Sequence, residues 1–119
     1  MHLQFNAQEV HYAEALGGDL VQVYFQEYPD PDIDYTKKNQ LPPPIKSVSI
    51  SANYEFPPYD SLVEWCDGEE YDGREKIKKI ELTKTSLKLV LENQFIIDVS
   101  FKTDDITFKK IQNFLLDTK

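Results

Sequence analysis

Alternation of apolar and polar side chains through residues 79–102 constrains this chain more than any other feature, because a period of two buries one face of a strand and suits no helix. In Ile80-Glu81-Leu82-Thr83 and in Leu87-Lys88-Leu89-Val90-Leu91 the alternate apolar residues share one side, while Lys79, Glu81 and Lys88 take the other. Lys84, Thr85 and Ser86 between them predict a tight hairpin connection. A second turn at Glu92, Asn93 and Gln94 leads into Phe95 to Phe101, with Ile97, Val99 and Phe101 on one face and Asp98, Ser100 and Lys102 on the other. The segment reads as a three-stranded antiparallel meander.

Beyond it the period becomes helical. Thr103 or Asp104 is placed to cap a helix, and Asp104 and Asp105 sit at the end where the helix dipole favours carboxylates. The helix is predicted from about Asp104 to Asp117, with Phe108, Ile111, Phe114 and Leu115 on one stripe that covers the apolar face of the sheet.

In the first half, Leu20 to Tyr28 is rich in β-branched and aromatic residues and predicts a strand. Gly17-Gly18 before it offers a turn back to an earlier strand around Leu3 to Tyr12. Lys46 to Phe56 alternates Val48, Ile50, Ala52 and Tyr54 with Ser47, Ser49, Ser51 and Asn53, another strand with a polar outer face, and Ser61 to Cys66 adds one more. Between them, Pro29 to Ile45 holds five of the seven prolines, and this density opposes both helix and central strand. It is predicted to be an exposed loop ending in a short polyproline stretch.

The chain has 119 residues, enough for one domain and too few for two. Its net charge of -8 is uneven: residues 1–75 hold fifteen acids against four bases, and residues 76–119 six acids against nine lysines. Such a surface repels phosphate backbones and anionic lipid, so neither nucleic acid nor membrane is an expected partner, and a basic protein is. MHLQFNAQEV shows neither a basic leader region nor a continuous apolar run, and Cys66 is the only cysteine, which leaves no internal disulfide. A cytoplasmic location is the expectation.

Catalytic signatures are sparse. Only His2 and His11 could serve as a general base for a nucleophile, and a Cys66–His11 dyad has no local motif. Cys66 reads more simply as a small buried residue at a strand end. Asp30, Asp32 and Asp34 imitate the opening of a calcium loop, but Tyr35 and Leu41 stand where glycine and glutamate belong. Gly17, Gly18, Gly68 and Gly73 build no phosphate cradle. No metal, no cofactor and no enzymatic activity are expected.

Recognition is what remains. From Glu55 to Glu75, eight carboxylates crowd together with Tyr59, Tyr71 and the only tryptophan, Trp65. Such a stretch is either a solvated loop or a surface for a basic partner. On the second reading Tyr59, Trp65 and Tyr71 supply stiff contact area, while Asp60, Asp67, Glu69, Glu70 and Asp72, with Glu64 beside them, supply steering charge. Trp65 also alternates with its neighbours in a strand, so burial in the core competes with a role as anchor.

The order VEWCDGEEYDGREKIKKIELTKTSLKLVLENQFIIDVSF followed by TDDITFKKIQNFL, within residues 61–117, resembles small bacterial immunity proteins of polymorphic and contact-dependent toxin systems. In that group an acidic, glycine-containing loop enters a meander of short amphipathic strands and then an aspartate-capped terminal helix. The resemblance implies a non-enzymatic cytoplasmic inhibitor that binds a toxin domain, often a nuclease with a basic cleft. It transfers no residue's role, since such inhibitors use a different surface for each toxin. The expected fold is α+β in one domain: a mostly antiparallel sheet of about five to seven strands with the C-terminal helix packed on one face. The rival functions are a small hydrolase using two of Asp67, Glu69, Glu70 and Asp72, or an adaptor that assembles through its sheet edge or helix.

Overall fold

The computed structural model describes residues 2–28, 45–53 and 61–116. The loop expected over Pro29 to Ile45 lies outside them except for Ile45, as do Tyr59, Asp60 and the strand positions beyond Asn53. The described residues form eight strands and one helix: β1 (His2–Ala7), β2 (Glu9–Ala15), β3 (Leu20–Gln26), β4 (Ser47–Asn53), β5 (Leu62–Cys66), β6 (Tyr71–Thr83), β7 (Ser86–Leu91), β8 (Ile96–Phe101) and α1 (Asp105–Leu116). None of their helices is long and apolar enough to cross a membrane.

The strands make one sheet in the order β1-β8-β7-β6-β5-β4-β3-β2. From β2 to β8 each strand pairs antiparallel with the next, so the expected three-stranded meander is the end of a seven-stranded one. β1 departs from the pattern and lies parallel to β8, with His2 opposite Ile96 and Ala7 opposite Phe101. The two ends of the strand order, β1 and β2, are separated in the chain by Gln8 alone. The sheet must therefore curl until its ends meet. Gln8 fixes the junction by donating its backbone N–H towards the carbonyls of Gln26 at 3.0 Å and Glu27 at 3.3 Å.

A second corner lies in β6, the longest strand. Its first part pairs with β5 up to Lys76, and its second part pairs with β7 from Ile77 onward. An extra residue, Lys78, shifts the register there. Bulged or bent strands that pass from one layer to another are how two strand layers join at a corner. Two layers result, one from β2 to β5 with the start of β6, the other from the end of β6 with β7, β8 and β1.

Between the layers lies the core predicted by the alternation. Leu3 and Phe5 of β1, Val23 and Phe25 of β3, Val48 and Ile50 of β4, Leu87 and Leu89 of β7 and Ile97 and Val99 of β8 belong to one buried cluster. Phe25 meets Phe101 across the layers, ring centroids 5.1 Å apart. α1 packs beside β2, with Ile111 fully buried and Phe114 and Leu115 resting on the cluster. Its cap is Asp104, whose carboxylate accepts from the Thr107 backbone N–H at 2.9 Å. The helix thus covers a strand that is otherwise paired on one side only, one way in which sheets avoid exposed edges.

The polar outer face foreseen for β4 is interrupted at one end. Gln26, Ser47 and Cys66 lie in register on that face, and all three are buried. Gln26 accepts from the Tyr24 hydroxyl and donates to the Tyr28 carbonyl.

Candidate protein-binding site

The acidic stretch becomes the connection between β5 and β6. Asp67 organises it: one carboxylate oxygen accepts the backbone N–H groups of Glu69 and Glu70, both at 2.9 Å, and the Asp67 N–H donates to the Glu70 carbonyl at 3.2 Å. Gly68 turns the chain at φ 96°, a conformation that suits glycine. Hydrogen bonds from Glu70 and then Glu69 hold the Asp67 carboxyl below its ordinary pKa, so it stays ionised well into the acid range.

Past this turn, Tyr71 begins β6 opposite Cys66, and its side chain is 75% exposed. Asp72 follows opposite Trp65, its carboxylate accepting the Gly73 N–H at 2.8 Å. Then the strand bulges: Glu64 faces Gly73 and Val63 faces Glu75, leaving Arg74 as the inserted residue at φ 64°. Gly73 is required because the backbones approach closely, and a Cβ there would lie 2.6 Å from Glu64 Cα.

The structure thus gathers Asp67, Glu69, Glu70, Tyr71 and Asp72 into one exposed tip, with Glu64 on the adjoining strand. None of these four turn carboxylates forms an ion pair with a described residue. Trp65 does not share the surface. It is 5% exposed, faces inward with Val63 and packs on Phe95 at 4.7 Å between ring centroids. Of the two roles left open for it, the core one is what the structure shows, and Tyr71 is the exposed aromatic of the tip. Tyr59 and Asp60 lie outside the described residues.

The bulge and Arg74 were missed by sequence reasoning, although an isolated glycine inside a charged strand is the available signal. Among the described residues no group of three or more His, Cys, Asp or Glu is arranged to hold a metal ion. Two larger grooves lie elsewhere, one of about 730 Å³ on the outer face of β1, β8, β7 and the end of β6, the other of about 460 Å³ beside Ala13, Leu20 and Leu62. The tip carboxylates line neither of them. In comparisons with known proteins the chain matches no family model, and no curated protein or solved structure is significantly similar to it.

Proposed function

We propose that this chain is a non-enzymatic binding protein that captures a basic protein partner through the tip from Asp67 to Asp72, as a cytoplasmic immunity protein captures its toxin. The observation that carries the reading is a set of carboxylates without ion-pair partners among the described residues, around one exposed tyrosine. Charge of one sign on a protruding tip speeds encounter with a basic cleft, and an aromatic side chain in a desolvated pocket slows release. The likeness of residues 61–117 to immunity proteins supports the same reading.

The hydrolase reading gains less support. A general acid needs a carboxyl whose pKa is raised by burial or by a like charge, whereas Asp67 is shifted downward on an open turn.

The test begins with capture of the partner from the native cell and continues with binding kinetics at several ionic strengths. Reversing Glu69, Glu70 and Asp72 together to lysine is expected to slow association by about tenfold or more at low salt and to flatten its salt dependence. Tyr71→Ala is expected to speed dissociation by about 30-fold, the equivalent of about 2 kcal/mol for a hot-spot residue. Unchanged affinity and salt dependence in the triple variant would place binding elsewhere.

A further inference from the structure

The groove of about 730 Å³ lies on the opposite layer from the acidic tip and has a registered polar floor. One row runs Gln4, Asp98, Lys88, Glu81 across β1, β8, β7 and β6, and the next runs Asn6, Ser100, Ser86, Thr83. Lys88 sits between two carboxylates on neighbouring strands, yet it forms no ion pair with a described residue. Both carboxylates are engaged from outside: His2 Nε2 meets Asp98 at 2.5 Å, and the Lys79 ammonium meets Glu81 at 3.6 Å. In the second row Ser100 donates to Asn6 Oδ1 at 3.1 Å, and the Thr83 and Ser86 hydroxyls are 2.7 Å apart.

From this arrangement we propose that the outer face of β1, β8, β7 and the end of β6 binds a neutral oligosaccharide. The charge pattern selects against the alternatives. An anion on Lys88 would be flanked by a carboxylate on the neighbouring strand to either side, with backbones about 4.8 Å apart. A cation on Asp98 or Glu81 would sit as near to Lys88. A ligand carrying no charge but many hydroxyls, each both donor and acceptor, satisfies the ammonium, the carboxylates and the amides together. The paired hydroxyl and amide groups of the second row are already oriented, which lowers the ordering cost of binding. Phe5 is buried beneath the floor, so among the described residues no exposed aromatic ring lines the groove for a sugar to stack on or for a protein partner to use as an anchor. Affinity rests on hydrogen bonds and is expected on the order of 1 mM.

The experiment is a titration of the isotope-labelled protein, followed by amide NMR shifts. Its probes are maltohexaose and chitotetraose (neutral), a tetragalacturonate (anionic) and a glucosamine tetramer (cationic). Saturable shifts at Gln4, Asn6, Lys88 and Ser100 with a neutral probe, weakened about tenfold by Lys88→Ala or Asn6→Ala, are the expected result. Both substitutions lie on the exposed face and leave the core untouched, and the shift pattern of each variant reports its folding. The proposal is overturned if neither neutral probe gives saturable shifts there, if a charged probe binds more tightly, or if both variants bind as the parent does. A partner protein that shifts these amides when the neutral probes do not would assign the face to protein recognition. Because the tip from Asp67 to Asp72 lies outside the groove, the outcomes with the sugar probes leave the function proposed above untouched, whereas a protein partner seated on this face would count against the tip as its site.

Discussion

Gly73 is the residue on which the geometry of the tip depends most directly. A methyl group at this position would overlap Glu64 Cα and its side chain, and no rotamer change relieves an overlap with backbone. Gly73→Ala is expected to destabilise the fold by about 1–3 kcal/mol, the range for overpacking, measured as a lower urea midpoint. An unchanged midpoint would mean that the β5–β6 bulge is not fixed by this contact. Trp65 illustrates what a single position in the sequence does and does not reveal. Its alternation with Val63 gives its facing, whereas its acidic neighbours Glu64 and Asp67 describe the surface beside it and say nothing of its own ring.

Among the elements, α1 has the clearest dependence on one side chain. Ile111 is fully buried between the helix and the sheet, and Ile111→Ala is expected to lower stability by about 2–5 kcal/mol, read by thermal or urea unfolding. The N-cap adds a pH dependence. Hydrogen bonds from Thr107 lower the Asp104 pKa below its ordinary 3.8, so the ionised cap contributes stability above that value and loses it as pH falls towards the lowered folded value. The advantage of the parent over Asp104→Asn is expected at about pH 7 and should vanish at strongly acid pH. A constant difference across the range would remove the carboxylate charge from the account. The helix, its cap and the strands from Ile80 to Phe101 were legible because each carries an unbroken period. β6 was not legible over Tyr71 to Lys79. Its register shifts at Arg74 and Lys78 break the alternation, and its outward side chains are charged. The split of the first predicted strand at Gln8, and the parallel pairing of β1 with β8, depend on distant partners that no local pattern encodes.

At the scale of the whole molecule, the two layers share both of their corner strands. β6 contributes residues to each, and the N-terminal stretch passes from one to the other at Gln8. Neither layer can lose its pairing without stripping an edge from the other, so unfolding is expected as one cooperative transition. Trp65 fluorescence reports the β5 layer and far-ultraviolet dichroism reports α1 and the sheet together; the two curves should coincide in urea. Separated midpoints would show that the layers unfold independently. The pairing of β1 with β8 also sets the timing of synthesis. The ribosome makes residues 2–7 about 90 residues before their partner strand, an interval on the order of 5 to 20 seconds at usual elongation rates. Throughout that interval the nascent chain carries Leu3, Phe5 and Ala7 without the strand they pair beside, and closure of the curled sheet waits until β8 has been made.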